Sequence, residues 1–296
     1  EQEEYLPTVL IFSTSYSKIS LMKQTVKIFM GGDVCGQAGL NTLKEQLPKL
    51  IKNENIDFCV VNGENTANGI GIRDDEAEIF FNLGVDVITG GNHTLERFDI
   101  RQNFGKDGRV LRPHNFPVTL GSGVIQIKKN GISYIVINLQ GRENMRPIEC
   151  PFKTLDSLLC GKDEIAKELR PEDFENSISV IDFHAESTAE KEALGFYADG
   201  KITVFGGTHT HTQTADERML PKGTAYITDV GMIGAKNSVI GGSYEAAIFR
   251  ATTQVPQKAE MNKTDELIFC GIITEVDVES KKAVSIKRIS ILNFRN

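Results

Sequence analysis

From Thr25 onward the chain alternates short apolar runs with amphipathic stretches, and that alternation restricts it to folds in which strands and helices succeed one another. Val26 to Met30 reads as a strand. Leu40, Leu43, Leu47 and Leu50 then recur at helical spacing, with Pro48 expected to kink or shorten that helix. Phe58 to Val61 is a second strand, and Glu76 to Leu83 a second helix, with Asp74-Asp75 at its start and Gly84 at its end. Asp86 to Thr89 reads as a third strand and Leu95 to Phe104 as a third helix. The middle departs from this rhythm. Asn130-Gly131 separates Val124 to Lys129 from Ile132 to Leu139, a hairpin signal because Asn-Gly supplies the positive φ angles of a type I′ turn. The sheet structure is therefore mixed. Ile178 to Phe183 and Ile202 to Phe205 read as buried strands around a helical stretch from Ala189 to Tyr197. Thr224 to Thr228, Leu267 to Val276 and Ala283 to Ile291 add β structure at the end.

Composition narrows the function classes. Lys+Arg 33 against Asp+Glu 40 leaves a net charge of −7 in 296 residues. Without clustered positive charge, a life on duplex nucleic acid is excluded, because phosphate neutralisation requires it. A small anionic substrate held through a metal stays compatible. Cys35, Cys59, Cys150, Cys160 and Cys270 are scattered and contain no C-x-x-C pair, which fits neither a disulfide scaffold nor a thiolate zinc site and points to a reducing, cytoplasmic compartment. No apolar stretch approaches the ~20 residues that span a bilayer. Residues 1–21 begin with acidic residues and have a short apolar centre interrupted by Pro7, a poor signal peptide. They are expected to be an extension or cloning remnant, with residues 22–296 forming a single domain.

The metal-capable residues fall repeatedly at strand ends, where open α/β sheets bind ligands. Asp33 follows the first strand, Glu64-Asn65 the second, and Asn92-His93 the third. His184 closes the strand from Ile178, and His209-Thr210-His211 follows Val204 to Gly207. Any one of these alone is an ordinary turn residue or a satisfied polar side chain. The His-x-His pair is more informative, since residues two apart in an extended segment face the same way. Five clusters in one register point to a shared site. Imidazoles, carboxylates and amide oxygens without thiolates suit manganese, iron or zinc, and seven candidate ligands exceed what one tetrahedral ion needs. Two ions ~3.5–4 Å apart are the usual clamp for displacement at phosphorus.

The ordered set Asp33, Gly63-Glu64-Asn65, Gly91-Asn92-His93, His184 and Gly207-Thr208-His209-Thr210-His211 resembles the calcineurin-like metallophosphoesterases. Two departures stand out: Asp33-Val34-Cys35 lacks a histidine, and Glu64 replaces the usual bridging aspartate. With the runs Asn-Leu-Gln-Gly-Arg and Asp-Phe-His-Ala-Glu, they resemble the YmdB-like branch of bacterial 2′,3′-cyclic nucleotide phosphodiesterases. That resemblance implies a four-layer α/β/β/α sandwich and two metal ions, with iron or manganese favoured over zinc or magnesium. It makes Glu64 the bridge, puts Asp33, Asn65 and His211 on the first metal and Asn92, His184 and His209 on the second. His93 is left as general acid, protonating the ribose oxygen that departs as metal-bound hydroxide attacks phosphorus. A nucleotide or other small phosphodiester is the expected substrate, with no membrane partner and homo-oligomerisation left open.

Other residues carry less. Arg142 and Arg146 can grip a phosphate but equally suit a solvated surface. Asp182, Glu186, Asp216 and Asp229 are candidate acceptors for ligating imidazoles. His114 reads as a loop residue without a partner, and Cys35 as a small buried residue rather than a ligand. Metallo-β-lactamase-like enzymes need H-x-H-x-D-H, which fails at Thr212-Gln213-Thr214, and TIM-barrel amidohydrolases place their H-x-H early. The alternatives are a metal-binding sensor with little catalysis and a phosphomonoesterase.

Overall fold

Along a strand, successive side chains point to opposite faces, so each face must find its own cover. In the computed structural model, which describes residues 24–97, 108–117, 120–257, 260–262 and 266–294, both faces of both sheets find one. The first sheet contains β1 (Thr25–Gly31), β2 (Asp33–Val34), β3 (Phe58–Asn62) and β4 (Val87–Thr89), joined late in the chain by β11 (Met232–Ala235), β12 (Glu266–Asp277) and β13 (Ala283–Phe294). The second contains β5 (Val124–Lys129), β6 (Ile132–Gln140), β7 (Ile178–His184), β8 (Val204–Thr208), β9 (Arg218–Met219) and β10 (Ala225–Ile227). Strands β1, β3 and β4 are parallel, as are β6, β7, β8 and β10, while β12 and β13 run antiparallel to their neighbours.

Val26, Ile28 and Met30 of β1, with Phe58 and Val60 of β3, face Tyr134 and Val136 of β6 and Ile178 and Val180 of β7 in a core between the sheets. Phe58 stacks on Tyr134 across it, ring centroids 4.1 Å apart. The alternate residues Phe29, Cys59 and Val61 meet α1 (Gly36–Glu54) and α2 (Asp74–Asn82). On the far side, Ile135, Ile181 and Phe183 meet α3 (Pro151–Leu159), α4 (Pro171–Glu175) and α5 (Thr188–Ala198). The result is the expected α/β/β/α sandwich with mixed sheets. A last helix, α6 (Tyr244–Thr253), buries only Ala246.

Two local expectations need correction. Pro48 does not end α1: its side chain is exposed, so water can satisfy the carbonyl it leaves without a donor, while Leu40, Leu43, Leu47 and Leu50 hold the helix to the sheet. Asp74-Asp75 lie inside the first turn of α2 rather than capping it, and the Glu76 carboxylate accepts the Arg73 backbone N–H at 2.9 Å. Of the helix expected over 95–104, residues 95–97 form a turn and irregular chain, and 98–104 lie outside the described residues, as do 1–21. The hairpin forms as expected, with Asn130 at φ 52° and Gly131 at φ 81°.

Candidate metal centre

Because β1, β3 and β4 are parallel neighbours, their carboxyl ends abut, and the same holds for β7 and β8 in the facing sheet. The loops after these strands therefore share one crevice. Asp33 opens β2, a two-residue strand paired with β11, instead of lying in a free turn. Glu64 and Asn65 follow β3, Asn92 and His93 follow β4, His184 is the last residue of β7, and His209 comes directly after β8. Gly91 is required here: a Cβ on it would stand 2.3 Å from His184 Nε2 and 2.5 Å from Glu64 Oε2.

All seven residues expected as ligands converge. His184 Nε2 lies 2.9 Å from both Asn92 Oδ1 and Glu64 Oε1, and 3.0 Å from His209 Nδ1. The Asn65 amide nitrogen donates to Asp33 Oδ1 and Glu64 Oε1 at 3.3 Å each and lies 3.3 Å from His211 Nε2. His211 Nε2 is 3.7 Å from Asp33 Oδ1. Glu64 Oε1 thus touches both groups. Atoms bound at right angles to one ion at about 2.1 Å stand about 3 Å apart, the spacing seen here.

The outward nitrogens fix which imidazole atom faces inward. Thr208 Oγ1 gives its proton to Asp182 Oδ1 at 2.6 Å, so toward His184 Nδ1, 2.9 Å away, it can only accept. His184 then carries its proton on Nδ1 and aims the Nε2 lone pair inward. Glu186 Oε2 stands 3.1 Å from His209 Nε2, and the Ile240 carbonyl 3.0 Å from His211 Nδ1. Both are acceptors, so His209 Nδ1 and His211 Nε2 also present lone pairs inward. The His-x-His segment is not extended as the sequence reading assumed: His209 has φ 98° and His211 φ 62°. Thr210 between them is pinned by Asp229, which accepts from its N–H at 3.2 Å and its hydroxyl at 2.8 Å. Asp229 is itself held by the buried Lys191 ammonium at 2.7 Å. Tertiary bonds, not strand geometry, aim this pair.

Beneath the site lies a polar floor that sequence reading missed apart from Asp182. Asp182 accepts from Thr208, from Thr89, and from Asn62 Nδ2 at 3.0 Å, tying the two sheets together. Asn138 brackets Gly90, accepting its N–H and donating to its carbonyl, both at 3.0 Å. A signal was present. In β3, β6 and β7 the inward series Phe58-Val60, Tyr134-Val136 and Ile178-Val180 ends at Asn62, Asn138 and Asp182, a polar residue at the next inward position each time.

Burial pushes the Asp33 carboxyl up to about 7 and raises Glu64, while it lowers His184 and His209 to about 3 and also lowers His211. Neutral imidazoles and buried carboxylates with converging lone pairs fit a bound cation, whose charge stabilises the ionised carboxylates. The donor set is nitrogen and oxygen. Cys35 stays outside it: its thiol faces His211 Nδ1 at 3.5 Å, on the outer edge of that ring, and burial raises its pKa.

His93 lies at the rim, with its backbone N–H donating to Glu64 Oε2 at 2.9 Å and its imidazole Nδ1 2.8 Å from Glu96 Oε2. Arg146 pairs with Glu96 at 3.2 Å, and Arg142 meets Glu190 through its backbone N–H, at 2.9 Å. Asp216 bonds Thr214 and Thr228 rather than an imidazole. His114 lies in a turn, as expected of a loop residue, but it is not without a partner. It is buried, with Nε2 3.1 Å from Asp163 Oδ1.

This fold, with its donor set on the strand ends of two facing sheets, defines a metal-dependent phosphoric ester hydrolase of the metallophosphoesterase class. The chain belongs to the YmdB-like family, whose model, described as YmdB-like protein, matches residues 29–289. It is 42% identical over 267 residues to the 2′,3′-cyclic-nucleotide 2′-phosphodiesterase of Bacillus subtilis (strain 168), covering 90% of this chain and 97% of that protein. A crystal structure of a novel phosphatase from Mycoplasma pneumoniae superposes with TM-score 0.83 at 34% identity, covering 92% of this chain and 95% of that one. The 5′-nucleotidase precursor of Thermus thermophilus shares the fold at TM-score 0.51 and 12% identity, covering 91% of this chain and 55% of that one. No helix among the described residues is long and apolar enough to cross a membrane.

Proposed function

We propose that this enzyme is a phosphodiesterase with a dinuclear metal centre, and that its substrates are 2′,3′-cyclic nucleotides. The observation that carries the proposal is the meeting of His184 Nε2, His209 Nδ1, Asn92 Oδ1 and Glu64 Oε1 within hydrogen-bond range, with the outward atoms of both rings facing acceptors. Four lone-pair donors facing one another are an arrangement that a cation between them would satisfy. Glu64 would bridge to a second ion, which Asp33, Asn65 and His211 would hold with it. For Asn65 to ligate, its amide turns over to present oxygen where its NH₂ group now meets three acceptors. Iron or manganese is favoured by the nitrogen and oxygen donors, with zinc or magnesium also compatible.

When bound, the two ions neutralise charge at phosphorus and activate water for attack. His93 is the general acid. With Nδ1 held by Glu96, its Nε2 protonates the departing ribose oxygen. The identity to the B. subtilis enzyme supports the cyclic-nucleotide assignment. The shared inter-sheet core supports treating residues 22–296 as one domain, and five free cysteines support a cytoplasmic location.

The test is elemental analysis of the purified protein, coupled to hydrolysis of 2′,3′-cyclic AMP and a linear bis-aryl phosphodiester with added manganese. Two metals per chain and a preference for the cyclic nucleotide are expected. Full loading without turnover of either substrate would point to a sensor or another phosphoester. Failure to load metal would overturn the ligand assignment.

A further inference from the structure

At the end of β7 and β8 away from the metal centre, three turns and the last residues of α4 enclose a cavity of about 360 Å³, within the range of small-molecule sites. Lys201, Lys222, Lys281 and Lys282 line it, brought together from three separate parts of the chain. The turns holding Lys201 and Lys222 lead into β8 and β10 of the second sheet, while the turn holding Lys281 and Lys282 joins β12 to β13 in the first. The Thr203 hydroxyl donates to the Lys281 carbonyl at 2.8 Å and fixes that third turn to the second sheet. Strand β7 runs from Ile178 at this end to His184 at the other, roughly 20 Å for a strand of its length, so the cavity and the metal centre are separate.

Local geometry crowds these lysines. Gly200 has φ 80°, and a Cβ on it would stand 2.8 Å from Lys222 Cβ, while Gly223, at φ 102°, brings its turn into contact with the Lys282 stem. The Lys281 ammonium donates to the Val278 carbonyl, and the Lys201 ammonium sits 4.1 Å from the centre of the Tyr197 ring. Among the described residues no carboxylate pairs with the ammonium of Lys201, Lys222 or Lys282. The acids nearby are committed or outnumbered. Asp199 accepts the backbone N–H of Lys222 at 2.9 Å, Asp277 accepts from the Ser280 hydroxyl at 2.6 Å, and Glu175 is the one acid in the described lining. Positive charge thus collects at one cavity of a protein whose net charge is −7. Leu159, Phe174 and Ile202 give the same cavity an apolar lining.

We propose that this cavity binds a nucleoside phosphate, with the phosphate among the lysine ammoniums and the base on the apolar lining. An ammonium is a compact charge suited to phosphate oxygens. A phosphate alone would leave the apolar lining uncovered, so the ligand carries an apolar ring beside its anionic group. Hydrolysis of a 2′,3′-cyclic nucleotide yields a molecule of this kind. The choice of a nucleoside therefore rests on the function proposed above, whereas the anion site stands without it.

Isothermal titration calorimetry of the full chain, with adenosine 3′-monophosphate and with inorganic phosphate in separate titrations, tests both parts. The nucleotide is expected to bind with a Kd below about 1 mM, before and after chelation of metal, and phosphate at least about tenfold more weakly. Lys222→Glu combined with Lys282→Glu should weaken both at least about tenfold with an unchanged circular-dichroism melt, because both side chains are exposed. No binding of either probe up to about 5 mM would overturn the proposal. So would binding that the double variant keeps and chelation removes, since it would belong to the metal centre. Phosphate and nucleotide binding equally, and both lost in the double variant, would overturn the nucleoside assignment and leave the anion site standing.

Discussion

The two sheets contribute to the centre unequally. The first sheet delivers Asp33 from β2 and Glu64, Asn65, Asn92 and His93 from the loops after β3 and β4, while the second delivers His184 from the end of β7 and His209 and His211 from the loop after β8. Every carboxylate of the proposed ligand set thus comes from one sheet and every imidazole from the other. Burial works on the halves in opposite directions, raising Asp33 to about 7 and lowering His184 and His209 to about 3. Each half is driven toward neutrality, and a cation between them is what favours ionised carboxylates beside neutral imidazoles. The site therefore belongs to the seam between the sheets and to neither sheet alone.

Removing the carboxylate that meets both halves tests this most severely. Glu64→Ala should lower bound metal below one ion per chain and reduce hydrolysis by at least about 10³-fold, read by elemental analysis and steady-state kinetics. A variant that kept two ions would break the seam picture. His93→Ala should separate chemistry from ligation, with turnover falling about 10²–10⁴-fold at nearly unchanged metal content. Parallel loss of metal and activity would make His93 a ligand. Asp182→Ala removes the acceptor shared by Thr208, Thr89 and Asn62 at the joint of the sheets. Metal affinity should weaken about 10–100-fold through a looser His184, and denaturant melts should show a loss of about 2–3 kcal/mol.

The pH dependence sharpens the contrast between the halves. Asp33 has its folded pKa raised from 3.8 to about 7, so its contribution to the metal-free protein is fully present below pH 3.8 and is lost as pH rises through about 7. Metal reverses that loss by favouring the ionised carboxylate. The melting-temperature gap between manganese-loaded and chelator-treated protein should widen from pH 5.5 to pH 8, and metal uptake at pH 6 should release a proton. A gap independent of pH would contradict a buried, neutral Asp33. The smallest effect is expected at the edge of the site: Cys35→Ser should leave metal content unchanged and activity within about threefold, since its thiol faces the outer edge of His211.

Much of this was legible in the sequence because it depends on local chemistry. Alternating apolar residues identify strands whatever their partners, and Asn130-Gly131 identifies its turn through the backbone freedom of two residues. The strand-end positions of Asp33, Glu64, Asn92, His184 and His209 follow from where the apolar runs stop. What the sequence did not yield was relational. Pro48 is tolerated because the face it occupies is exposed, which periodicity alone does not reveal. His114 is buried because the chain around it folds under, bringing Asp163 to its ring.

The sequence by itself determined the alternation of strands and helices, the mixed character of the sheets and the identity of the donors, while the sandwich followed from its resemblance to a known family. Only the tertiary structure decided how those donors point. The proton on each imidazole is placed by Thr208, Glu186 and the Ile240 carbonyl, and the turn of the His-x-His segment by Asp229. The outward mounting of α6 was likewise settled by packing, since an amphipathic pattern states which face is apolar but not what that face meets. Periodicity is a property of neighbours along the chain, whereas orientation is imposed by groups that become neighbours only when the two sheets close on each other.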